Sequence, residues 1–147
     1  MNSKALRIAK RNILLTGLLA IAASSGAFAQ NKTIKPGPIL SSGRVVGNML
    51  FVAGLKGKPA TGSLADLDIG AQTQLTLDAI KSVVEEAGFK MTDIVSVNIY
   101  LTDINLIDKM NDVYKKVMPD PKPVRVTVEV GHIRGGNIEV SCIAVKQ

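Results

Sequence analysis

The sequence predicts an α+β domain: a mixed sheet with two helices on one of its faces, in the order β-β-α-β-α-β-β. Two kinds of observation predict it. Ile94 to Leu101, Val124 to Val130 and Ile138 to Val145 alternate with the period of two that belongs to strands. Two longer segments place apolar residues at helical spacing instead.

Asn31 to Pro38 reads as an extended arm, because Pro36 and Pro38 forbid helix there. Ile39 to Val46 and Met49 to Gly54 read as two short strands, and Gly47-Asn48 between them is hairpin-turn chemistry. Lys56 to Gly62 reads as a loop. Asp68 to Ala87 is the clearest helix. Ile69, Leu75, Ile80, Val83, Val84 and Ala87 supply its apolar side, and Gly88 stops it. Ile94 to Leu101 follows as a strand. Leu106 to Val117 is the second helix, closed by Pro119, Pro121 and Pro123. In Val124 to Val130, the valines 124, 126, 128 and 130 share one face, and Arg125, Thr127 and Glu129 share the other. After a turn at Gly131 to Asn137, Ile138 to Val145 is the last strand. Two helices cover one face of such a sheet. The other face is expected to carry apolar residues mixed with Arg125, Thr127 and Glu139, so a homo-oligomer is expected to bury it.

Residues 1–29 read as a secretory signal peptide rather than as part of the domain. Lys4, Arg7, Lys10 and Arg11 form a basic head, Ile13 to Ala23 a short apolar run, and Ala27-Phe28-Ala29 a small-residue ending. The run is shorter than the ~20 residues of a membrane-spanning helix. Cleavage is expected after Ala29. It leaves one domain, residues 30–147, in the periplasm or outside the cell, without a membrane anchor. The whole chain has 18 Lys+Arg against 12 Asp+Glu, a net +6; without the four basic residues of the leader the balance is 14 against 12, or +2. The basic residues that remain are scattered and there is no Trp, which argues against a nucleic-acid partner. One cysteine, Cys142, and one histidine, His132, exclude an intrachain disulfide and a soft-ligand metal cage.

Arg125 is the foremost candidate for chemistry. An unpaired charge among valines costs several kcal/mol, and a guanidinium fork suits two-point recognition of a carboxylate. The competing reading is an ion pair with Glu129 or Glu139 that holds a subunit interface. Glu139, between Ile138 and Val140, is expected to have a raised pKa if dehydrated, and could then hold a water or pass a proton. Its competing reading is the partner of Arg125, or an exposed charge on an edge strand. Asn111 and Tyr114, three apart on the second helix, would lie on one face of it and could line a cleft or simply face solvent. His132 reads as a solvated turn residue. Cys142 reads as a small core residue with no base placed for it. No phosphate-binding loop, nucleophile elbow or metal-ligand spacing is present.

From Gly37-Pro38 to Val145 the chain resembles the RidA/YjgF family. The matching pieces include Gly47-Asn48-Met49 with Gly54, Val83-Val84-Glu85-Glu86-Ala87-Gly88, Thr102-Asp103-Ile104, Met110-Asn111-Asp112-Val113-Tyr114, the strand from Pro123 to Val130, and Ile138-Glu139-Val140. Each piece is weak alone; their shared order and spacing are specific. The resemblance implies a chorismate mutase-like fold and a homotrimer with a cleft at each subunit boundary. In the family's deaminating branch the arginine matching Arg125 binds the carboxylate of a 2-imino or 2-enamino acid, which is hydrolysed to a 2-oxo acid and ammonia without metal or cofactor. The glutamate matching Glu139 assists the water, and the asparagine matching Asn111 lies near the site. The resemblance also places Ile39, Ala53, Gly54 and Thr127 around the substrate. Three of these depart from the family: Ile39 stands for a tyrosine, Ala53 for a serine and Thr127 for a cysteine. The alternative to catalysis is a non-catalytic trimer that captures a small carboxylate such as an oxo acid.

Overall fold

A computed structural model of the chain describes residues 31–146. The expected signal peptide lies outside the described residues. The strands are β1 (Lys32–Pro36), β2 (Ser41–Val46), β3 (Met49–Leu55), β4 (Ile94–Leu101), β5 (Val124–Glu129) and β6 (Ile138–Val145). The helices are α1 (Ile69–Glu86) and α2 (Ile107–Val117). The strands form one sheet in the order β1-β2-β3-β6-β4-β5. Only β4 and β5 pair in parallel; the other pairs are antiparallel. The parallel pair follows from its connection. A return to the same end of the sheet needs a crossover segment, and α2 is that crossover.

The expected α+β order holds and gains one strand. Residues 32–36 of the expected arm pair with β2, and Ile34 is completely buried while its neighbours are exposed. Pro36 is tolerated because it ends an edge strand. The hairpin turn falls where it was expected: Val46 faces Met49 across Gly47-Asn48, and Gly47 has φ +61°. The side chain of Asp68 caps α1 by accepting from the Ala71 N–H at 3.0 Å.

Both helices lie on one face. There Leu50, Val52, Val97, Ile99, Ile138 and Val140 of the sheet join Leu77, Ile80 and Val84 of α1 and Met110 of α2 in one core. The buried stripe of α1 also holds Gln72, Thr73 and Thr76, whereas Leu75, expected on it, is only half-buried. These three side chains are hydrogen-bonded. Gln72 Nε2 donates to the Leu67 carbonyl at 2.7 Å and its Oε1 accepts from Asn137 N–H at 2.7 Å. Thr73 Oγ1 donates to the Ile69 carbonyl at 2.6 Å. Thr76 Oγ1 accepts from Gly57 N–H at 3.0 Å. The Thr76 and Gln72 bonds tie the loop after β3 and the loop before β6 to the helix.

The second face is left open by the protomer. Val124, Val126 and Val128 of β5 are 71, 56 and 39% exposed, and Phe51 of β3, across β6 and β4 from them, is exposed on the same face. Among the described residues no helix is long and apolar enough to cross a membrane.

The Thr76 bond gives a test. Thr76→Val keeps the shape but strands the Gly57 N–H, so it is expected to lower unfolding free energy by about 1–3 kcal/mol. The midpoint of a urea unfolding curve measures this.

Candidate functional site

Arg125 does not stand on the open face, as the sequence suggested, but on the helix-covered one. Its register partner on β4 is the buried Val97, so the side chain of this edge-strand residue turns toward α2. There the Nη1 donates to Asn111 Oδ1 at 2.7 Å. The guanidinium carbon lies 4.8 Å from the centre of the Tyr114 ring. Asn111 and Tyr114 reach it together because they lie three positions apart on α2. Tyr114 is 5% exposed, while Arg125 remains half-buried.

Within the protomer Arg125 pairs with neither Glu129 nor Glu139. Glu129 turns to the segment before α2 and accepts from the Ile104 N–H at 2.9 Å. Glu139 is on the opposite face of the sheet. Among the described residues Arg125 has no carboxylate within ion-pair distance. A guanidinium has five N–H donors. One goes to Asn111, so four remain. Two hydroxyls on the same side, Thr127 Oγ1 and Tyr114 Oη, are buried without a hydrogen-bond partner among the described residues. Burial raises the Tyr114 phenol above its ordinary pKa by more than the Arg125 charge lowers it, with a further upward push from Cys142. The phenol is therefore neutral at physiological pH.

Glu139 forms a second cluster. It faces Tyr100 across the β6–β4 pair and leans over Gly54. A bulge makes room for it: between Val52 and Leu55, Ala53 and Gly54 stand opposite the single residue Ser141. A Cβ at Gly54 would collide with Glu139 Oε1, so any larger residue there must push that carboxylate aside. Next along the strand, Asn98 Nδ2 donates to Ser141 Oγ at 3.3 Å.

Within one protomer the structure therefore brings together Arg125 and Asn111, with Thr127 two residues along on the same face, and separately Glu139, Gly54 and Ala53. Ile39 joins neither cluster; it sits 93% exposed in the connection of β1 to β2. Sequence reasoning put Arg125 and Glu139 on one face because alternation within each strand does not say which face the helices cover. The contact of Tyr114 with the guanidinium was signalled only by its three-residue spacing from Asn111. Tyr100 was not singled out at all; its polar tip among alternating apolar residues was the available cue. An open groove of about 490 Å³ along α1, lined by Asp78, Lys81, Glu85 and Lys90 among others, contains none of these residues.

Residues 32–146 match the family model described as Endoribonuclease L-PSP. A RutC family protein of Pyrococcus abyssi is 41% identical over 118 residues, covering 79% of this chain and 93% of the relative. The YjgF gene product of E. coli has a similar structure, with 30% identity, a TM-score of 0.70, and coverage of 82% of this chain and 98% of that one. E. coli TdcF, solved with bound serine, is 29% identical with a TM-score of 0.69, covering 78% and 93%.

Cys142, in the core beneath these clusters, tests the packing. Burial pushes its thiol from the ordinary 9.0 up to about 12. Both states hold the proton below pH 9. Between 9 and 12 only the folded state holds it, so stability falls as pH rises through that window. Cys142→Ala is expected to lose less stability than the unsubstituted protein between pH 8.5 and 11, measured by thermal melting. Iodoacetamide is expected to label Cys142 only after unfolding.

Proposed function

The chain belongs to the endoribonuclease L-PSP (RidA/YjgF) family, and on that premise we propose that it hydrolyses small 2-imino or 2-enamino acids in clefts between the subunits of a homotrimer. The observation that carries this reading is the state of Arg125: a half-buried guanidinium with a neutral amide and a ring as partners, and four donors to spare. A cation so placed is a site for an anion, and its planar fork matches a carboxylate. The serine bound by TdcF is a small amino acid with such a group.

The separation of the two clusters supports the trimer. Arg125 and Glu139 lie on opposite faces of one sheet, so one protomer alone cannot set both around a small ligand. A ring assembly joins two different surfaces of neighbouring copies. It would bury the valines of β5 and present the Glu139 side of one copy to the Arg125 side of the next. In that cleft Arg125 holds the carboxylate. Water adds to C2 of the imine, the C=N electron pair moves to nitrogen, and Glu139 takes the water's proton. Glu139 passes that proton to the nitrogen, giving a carbinolamine. The hydroxyl then becomes a carbonyl as its own proton moves through Glu139 to the nitrogen, the C–N bond breaks, and ammonia leaves. The products are a 2-oxo acid and ammonia, with no cofactor required. The expected signal peptide would put this activity in the periplasm or outside the cell.

A second reading is favoured by Ile39 and Ala53. Both lack the hydroxyls that the family resemblance leads one to expect, and both lie away from the Arg125 face. A protein that kept the carboxylate grip and lost water-ordering groups would bind an oxo acid without turnover.

Iminopropanoate generated in place, with its decay followed, separates the readings. The protein is expected to accelerate decay. Arg125→Ala is expected to reduce kcat/KM by about 10- to 100-fold with the trimer intact by light scattering. Arg125→Lys is expected to fall nearly as far, since a point charge lacks the fork. Undiminished activity in Arg125→Ala sinks the proposal. Oxo-acid binding that depends on Arg125 without turnover supports the binder, and RNA cleavage by homogeneous protein would favour neither. Gly54→Ala pushes on the Glu139 carboxylate, so it is expected to lower kcat more than it raises the Kd of 2-oxobutanoate, read by calorimetry.

A further inference from the structure

We infer that Tyr114 is a positioning residue of the anion site: its ring fixes the plane of the Arg125 guanidinium, so that the bound anion must lie in that plane. The inference rests on the carboxylate reading of Arg125 and adds what holds the fork still. An arginine side chain is long and flexible, and an exposed one would sample many orientations. Here two contacts from one helix restrain it. The ring, 4.8 Å from the guanidinium carbon, backs one side of the group, and the 2.7 Å bond to Asn111 Oδ1 ties one of its nitrogens in place. Neither partner carries a negative charge, so neither competes with an incoming anion.

The geometry also selects. The guanidinium carbon sits over the Tyr114 ring, and Tyr114 itself is nearly inaccessible beneath it. Approach from that side is closed. The remaining donors all point outward in the guanidinium plane. A carboxylate meets two of them at once only if it is coplanar, which lines up the adjacent sp² carbon of a 2-oxo or 2-imino acid with the same plane. A tetrahedral anion can use the fork but gains no such alignment. The role belongs to the ring rather than to the hydroxyl, because Tyr114 Oη is buried and bonds to nothing among the described residues.

The ring can be tested apart from the hydroxyl. Calorimetry with 2-oxobutanoate is run on the full assembled protein, alongside Tyr114→Phe, Tyr114→Leu and Arg125→Ala. The Arg125 side-chain N–H resonances are followed without ligand. Tyr114→Phe is expected to bind within about twofold of the unsubstituted protein, and Tyr114→Leu about three- to thirtyfold more weakly. The Arg125 Nε–H resonance is expected upfield, displaced by the ring current, in all but Tyr114→Leu. In turnover, Tyr114→Leu raises KM and Tyr114→Phe restores it. A folded Tyr114→Leu that binds normally overturns the inference, as does Tyr114→Phe weakened as far as Tyr114→Leu. If Tyr114→Leu does not fold, Tyr114→Met is judged by the same criteria. The resonance position needs no ligand and decides the stacking by itself. Loss of binding in Arg125→Ala with full binding in Tyr114→Leu removes only this inference; full binding in Arg125→Ala removes the carboxylate site as well.

Discussion

Arg125 keeps its charge beside an amide and an aromatic ring, where a buried cation would ordinarily meet a carboxylate. That choice of partners constrains much around it. An acid at position 111 would satisfy the guanidinium more strongly, and would also neutralise it. Asparagine supplies an acceptor and leaves the charge uncompensated. Partial exposure keeps the desolvation cost tolerable, and the ring returns some of it through its quadrupole. The result is a cation that is held but unsatisfied.

The topology produces this arrangement. β5 lies parallel to β4, and α2 is the crossover between them. The same helix that makes the parallel pairing possible therefore passes over the helix-covered face of β5 and delivers Asn111 and Tyr114 to Arg125. On the other side of the sheet, the bulge at Ala53 and Gly54 opens space for Glu139. Each cluster is thus built from a feature of the backbone: a crossover on one face, an extra residue on the other. No rearrangement inside a protomer would bring them together, because a sheet of packed strands lies between them.

Much of the fold was legible because strand periodicity is a local signal. Residues 94–101 and 138–145 alternate cleanly, and their bounds match the observed strands. β1 was hidden because Pro36 and Pro38 speak against regular structure, while its pairing depends on the one buried side chain of Ile34. The buried stripe of α1 was misjudged at Leu75 because hydrophobicity ranks it above Gln72 and Thr76. Those two are buried for hydrogen bonds to distant loops, and partners such as Gly57 and Asn137 leave no trace in helical spacing. At the candidate site, Arg125, Asn111 and Glu139 were candidates from residue type and family resemblance. Their faces were not legible. Alternation sorts the residues of one strand into two sets, and only the helices decide which set is covered.

The departures from the family are not spread evenly. Ile39 and Ala53, which lack expected hydroxyls, are removed from the Arg125 side; one is in the β1–β2 connection and the other is in the bulge beneath Glu139. Thr127 goes the other way and places a hydroxyl on Arg125's own face, two residues along the strand. That hydroxyl is buried with no partner among the described residues. An unpaired buried hydroxyl costs about 1–3 kcal/mol, so it tends to acquire a water or a ligand oxygen. On the proposed reading, polar groups have moved from the Glu139 face toward the Arg125 face. Such a shift strengthens recognition relative to turnover, which is the direction in which the two functional readings differ.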